Sequence, residues 1–194
     1  MTAEQLTQRL RTTGTQLHTK PDYAVWWHSA AAKAMHVVFG LLRLITAGAI
    51  DEDFGAYWTT LGRYVYAPRG HDVDPTDPHD YAVVCHELAH RLDDEAHGLR
   101  YRLSYIFSGS ARARWEMRGY GMQIVAMYRV TGQIPSHWPR RFAEAISGPA
   151  YLWAADYDEA LGCFTDIADA LRTGRLSPAI FDPNDERFAQ FIPT

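Results

Sequence analysis

Two histidines four residues apart, in the sequence His86-Glu87-Leu88-Ala89-His90, carry the clearest chemistry in this chain. On a helix, side chains at i and i+4 lie one above the other, so both imidazoles can reach one metal ion. Glu87, beside the first histidine, can meet a water at that ion. Zinc suits such a pair: it lowers the pKa of a bound water to about 7 and polarises a carbonyl oxygen. A carboxylate at Glu87 can then take a proton from the water and pass it to a leaving amine. The chemistry expected is metal-assisted hydrolysis, with one zinc ion per chain.

Two histidines leave a catalytic zinc one protein ligand short, since three are wanted beside an open position. Asp93 and Asp94 follow on the same helix. Eight residues separate His86 from Asp94, about 12 Å of helix axis, too far for ligands about 2 Å from one ion. His97 is out of register with the H-E-x-x-H-x-x-G-x-x-H pattern: Asp93 stands at the glycine position and Ala96 at the third histidine position. Glu116 is the better choice. It lies in line with Tyr120, Ile124 and Met127 at helical spacing, and a carboxylate on such a face is costly to bury unless paired or bound to metal. Gly119 and Gly121, unfavourable inside a helix, suggest close approach to a neighbour, the H-E-x-x-H helix being the obvious one. The alternative is that Glu116 pairs with Arg112 or another arginine at the surface.

The elements that must place these residues are readable from capping and periodicity. Asp77 can cap a helix, Pro78 fits its first position and Asp80 complements the macrodipole. That helix should run from Pro78 to about Ala96, with Gly98 beyond it. Ala82, Cys85, Ala89, Leu92 and Ala96 form a small apolar packing face, and Val83, His86, His90 and Asp93 form the adjoining one. After a loop around Ser108 to Ser110, a second helix is predicted from about Ala111 to Val130, stopping near Gly132. Others are predicted at 3–12, with Thr2 as cap, from Ser29 to Ala47, and at about 137–147 and 157–173. Thr59 to Pro68 is the best strand, and Arg69 to Thr76 is a loop. The tail with Pro183 and Pro193 is expected to be irregular. The fold class expected is α+β, mostly helical, with a small sheet.

With 194 residues, 47% hydrophobic, one domain spanning 1–194 is expected, its core at about 54–151 and its terminal helices packed on it. A net charge of −4 gives no footprint for nucleic acid. The most apolar stretch, Ala30 to Ile50, is interrupted by Lys33, His36 and Arg43 and reads as a buried helix rather than a membrane span. No signal-peptide pattern opens the chain, and two cysteines, Cys85 and Cys163, suit a reducing compartment. A cytoplasmic protein with no membrane partner is expected. Trp26-Trp27-His28 and Trp138-Pro139 read as core rather than groove, and Arg112, Arg114 and Arg118 as a solvated face.

The sequence resembles the gluzincins, in which H-E-x-x-H on one helix is completed by a glutamate on the next. It is also similar to small bacterial and phage proteins with a Thr-Thr-x-Gly strand ending in Tyr-x-Pro, then H-E-x-x-H, then a Trp-Glu-x-x-x-Tyr helix. The matching residues are Thr59 to Gly62, Tyr66 to Pro68, His86 to His90, and Trp115-Glu116 with Tyr120, with Gly148 to Tyr151 as a further match. The likeness implies a zincin-like fold in which His86, His90 and Glu116 hold zinc, Glu87 is the base and the substrate is a polypeptide. It also implies a strand edge at Tyr64–Tyr66 that could pair an extended substrate, although a plain hairpin or core strand remains open. The chain departs from larger gluzincins in lacking N-E-x-x-S-D around Glu116. Tyr120 stands where they place an Asp, with Asp93 as a substitute to orient the histidines or as a solvated carboxylate. Tyr120, His97 and Tyr105 are the candidate donors to an oxyanion. The other readings are an amide hydrolase acting on a non-protein substrate and a non-catalytic domain in which the metal staples two helices.

Overall fold

The computed structural model describes residues 3–12, 14–19, 58–61, 64–68, 70–178 and 186–193. Helices take up 66% of them, beside one three-stranded sheet. The expected helix from Ser29 to Ala47 and the Trp26-Trp27-His28 run lie outside the described residues. Among the described residues no helix is long and apolar enough to cross a membrane.

Helix α1 (Ala3–Thr12) leads to strand β1 (Gln16–Thr19). Strands β2 (Thr59–Leu61) and β3 (Tyr64–Ala67) follow. The order is β1-β3-β2, with β1 parallel to β3 and β2 antiparallel to it. The stretch expected as one strand is therefore two, paired with Thr60 opposite Val65. Tyr64 to Tyr66 forms the middle strand and not the edge, which corrects the expected placement of an exposed edge there. Side chains alternate across the pleat: Val65 and Ala67 are fully buried, Tyr64 and Tyr66 half-buried. Thr60, paired with Val65, faces the helices on the same side.

Helix α2 (Pro78–His97) starts as its capping residues require. Asp77 accepts hydrogen bonds from the backbone N–H of His79 and Asp80 at 2.9 and 3.0 Å, satisfying donors that have no partner in the first turn. It ends at Gly98, whose φ of 52° favours glycine. Helix α3 (Leu99–Phe107) begins at once, although no helix was anticipated there. It has no side-chain cap, and it carries Leu99, Leu103, Ile106 and Phe107 on one side with Tyr101 and Tyr105 on another. The apolar stripe is at helical spacing but short, it faces outward, and it follows a glycine that reads as a helix stop.

Ser108 then caps helix α4 (Gly109–Thr131) through Ala111 N–H, and Gly132 ends it with a left-handed φ of 68°. The α2–α4 packing is the most extensive contact between elements. Helix α5 (Trp138–Ile146), a short 3-10 turn (Pro149–Tyr151) and helix α6 (Tyr157–Arg172) follow. Helix α6 packs on α5 and on α4. Helix α7 (Glu186–Ala189) lies where an irregular tail was expected. Phe188 anchors it, fully buried in a core cluster that also includes Leu10 of α1, Leu88 of α2, Ile124 of α4 and Phe164 of α6. Trp138 belongs to this core as well.

Candidate metal centre

Helix α2 sets His86 and His90 one turn apart, with their Nε2 atoms 2.9 Å from each other. Helix α4 brings Glu116 to face both: Oε2 is 3.5 Å from His86 Nε2 and Oε1 is 3.4 Å from His90 Nε2. All three side chains are buried, and their ligand atoms lie within 4.8 Å of one another. Ligands about 2.0–2.2 Å from one tetrahedral ion lie about 3.3–3.6 Å apart, which is where the His86 Nε2–Glu116 Oε2 separation falls; the imidazole pair is closer. Among the described residues Glu116 Oε2 is buried without a hydrogen-bond partner, a state that is costly for an anion unless a cation completes it. Two imidazoles and one carboxylate, each buried, form a group that can hold a metal ion.

The electrostatics of the group follow from its crowding. Burial works to lower the pKa of His90, but the charge and hydrogen bond of Glu116, with the charges of Glu87 and Asp93, outweigh it and lift the value to about 9. For Glu116, burial works upward, while the charge of His90 and the close approach of both imidazoles hold the carboxyl well below the usual carboxylate range. Without metal this balance favours an imidazolium at His90 beside a carboxylate at Glu116.

Glu87 is buried next to His86 in sequence, and Thr60 on β2 holds it. The Thr60 hydroxyl lies 2.7 Å from Glu87 Oε2 and 3.2 Å from the Glu87 carbonyl oxygen, both of which accept from it. The strand carrying the Thr-Thr sequence thus fixes the carboxylate proposed as base.

Three tyrosines contact the ligands, and a fourth, Tyr151, backs one of them. Tyr101 Oη is 3.2 Å from His90 Nδ1, and the Tyr105 hydroxyl donates to Glu116 Oε1. The Tyr120 ring stands edge-on to His86 at 4.5 Å and stacks on Phe142 at 4.4 Å, while its hydroxyl shares a 3.1 Å hydrogen bond with that of Tyr151. Burial first, and the Glu116 charge second, push all four phenols upward, so they stay protonated near neutral pH.

Other side chains sit away from where the sequence suggested. Arg112 does not pair with Glu116. It is buried and donates to the carbonyls of Tyr105, Ile106 and Tyr151 at 2.8, 2.8 and 3.1 Å. Arg118 is not on a solvated face either, since its guanidinium binds the fully buried Asp93 at 2.7 Å and lies over Trp115. His97 is exposed and packs against the Trp115 ring at 5.3 Å. Gly119 does mark an approach to α2, because a Cβ there would come within 2.8 Å of His86 Nε2. Gly121 instead faces Phe188 and Ile167.

Tyr101 was missed as a site residue. Its spacing of four from Tyr105 was the available signal, and the missing helix assignment hid it. A second group, Asp77, His79 and Asp80, also has ligand atoms close together. Its carboxylates are engaged in capping α2 and in binding His71 and the Asp74 N–H. Compared with protein-family models, with curated proteins and with solved structures, the chain matches none, so the reading of this centre rests on its own residues.

Proposed function

We propose that this chain is a zinc-dependent peptidase of zincin-like, gluzincin-type construction, with His86, His90 and Glu116 as metal ligands and Glu87 as general base. The observation that carries the reading is the convergence of those three ligand atoms within 4.8 Å of one another, beside a carboxylate held in place from a neighbouring strand. Zinc bound there supplies a water of lowered pKa, about 7, and a Lewis acid for the substrate carbonyl.

The protein's own groups do the rest. With Oε2 engaged by Thr60, Glu87 Oε1 takes a proton from the attacking water as its oxygen bonds to the carbonyl carbon. Glu87 Oε1 then returns that proton to the amide nitrogen when the C–N bond breaks. Strand β2, paired with β3 on one side only among the described residues, lies beside Glu87 and suits an extended polypeptide main chain.

Elemental analysis should find one zinc per chain in the native protein and none in Glu116→Ala. Glu87→Gln should keep its zinc while hydrolysis of an unfolded protein substrate falls by about 10²–10⁴-fold. Full activity in that variant defeats the mechanism, and unchanged zinc in Glu116→Ala removes the third ligand.

A further inference from the structure

The two inward tyrosines of α3 each reach a different ligand on a different helix. Tyr101 meets His90 of α2, and Tyr105, one turn on, meets Glu116 of α4. Helix α3 has little else to hold it inward. Its residues are at most partly buried, the two tyrosines by their hydroxyl ends, and on its outer side Leu99 is 68% and Phe107 80% exposed. Polar contacts anchor it: Arg102 to Asp94 at 2.7 Å, Trp115 Nε1 to Ser104 Oγ at 3.1 Å, and Arg112 to its last carbonyls.

We infer that Tyr101 and Tyr105 are positioning residues for the metal: Tyr101 sets the tautomer and orientation of His90, and Tyr105 occupies Glu116 Oε1 so that the carboxylate offers Oε2 to the ion. This rests on the metal-centre reading given above. An imidazole that ligates through Nε2 carries its proton on Nδ1 and needs an acceptor for it. Among the described residues, the Tyr101 oxygen is at that atom. On Glu116, Oε1 has the Tyr105 hydroxyl, whereas Oε2 is buried without a hydrogen bond among the described residues. A carboxylate so held presents one oxygen rather than two.

His86 is treated differently. Its Nδ1 has no hydrogen-bond partner among the described residues, and its ring is confined by Tyr120 and Gly119. One histidine is therefore oriented by a hydrogen bond and the other by contact.

The test is zinc affinity of the full chain by competition with a chromophoric chelator, together with the visible spectrum of the cobalt(II)-loaded protein. Tyr101→Phe and Tyr105→Phe should each weaken zinc by about 10–100-fold, the usual consequence of losing an outer partner of a ligand. Phe107→Ala, on the outer, exposed side of the same helix, should leave affinity unchanged. Tyr105→Phe should also weaken the cobalt absorption band, because freeing Oε1 allows a higher coordination number. Wild-type zinc affinity in both tyrosine variants, even with a lower metal-free melting temperature, reduces the pair to structural residues and overturns the inference. An equal fall in Phe107→Ala overturns it too. If the wild-type protein takes up neither zinc nor cobalt, the metal-centre reading itself fails. Wild-type uptake with insensitive tyrosine variants defeats the tyrosine roles alone.

Discussion

Gly119 on α4 lies against the ring of His86 on α2 so closely that a Cβ would stand 2.8 Å from Nε2 and 2.9 Å from Cε1. Alanine inside a helix ordinarily stabilises it by about 1 kcal/mol relative to glycine. Here the methyl must displace a buried imidazole, and overpacking of this kind costs about 1–3 kcal/mol. Gly119→Ala should therefore lower the melting temperature and weaken zinc binding at least about tenfold. Gly121→Ala crowds Phe188 and Ile167 instead and should leave zinc affinity intact. A Gly119→Ala protein that melts higher and binds zinc normally contradicts this packing.

Thr60 reaches across 27 residues to hold Glu87. Thr60→Val keeps the shape and β preference of the side chain while removing the donor. Turnover should fall about tenfold, in keeping with a hydrogen bond to a charged group of about 1.5 kcal/mol, with zinc content unchanged. Loss of zinc together with activity would show that Thr60 supports the fold of the centre rather than the base.

The charged state of the metal-free pair gives a pH signature. The folded-state pKa of His90 is raised from 6.5 to about 9. Its contribution to stability is complete below 6.5 and is lost as pH rises through about 9. Glu116 is shifted downward from 4.5, so its contribution is present above that value and is lost as pH falls. Metal-free protein should therefore melt lower on both sides of a maximum between these limits. Zinc must displace the His90 proton, so calorimetry in buffers of different ionisation enthalpy should record about one proton released near pH 7.5, declining above pH 9. Release near zero at pH 7.5 contradicts the assignment of His90 as an imidazolium.

Arg112 joins the end of α3 to the 3-10 turn by three hydrogen bonds to carbonyl oxygens. Arg112→Met retains apolar bulk and removes the bonds. A loss of about 3 kcal/mol is expected, given that hydrogen bonds to charged groups contribute about 1.5–3 kcal/mol each and do not add fully. Amide hydrogen exchange should accelerate across 99–107. Unchanged exchange there would mean that α3 is held by something else.

What the sequence determined alone is what depends on neighbours along the chain. The i, i+4 spacing of His86 and His90, the Asp77-Pro78 start of α2 and the stop at Gly132 follow from helix geometry and local capping. Glu116 was legible as a carboxylate on an otherwise apolar helical face, and Gly119 as a point of close approach. Only the tertiary structure decided which partners these groups meet. Thr60 on Glu87, Arg112 on the Tyr151 carbonyl 39 residues away, Arg118 on Asp93 and Phe188 in the core all join segments far apart in sequence. Helix α3 was hidden because Gly98 reads as a stop, no side-chain cap marks a new start, and the helix is only nine residues long. Its direction is set by hydrogen bonds to α2 and α4 rather than by an apolar stripe. Such pairings depend on the distance and angle at which whole elements pack, and residue order along one element carries no record of either.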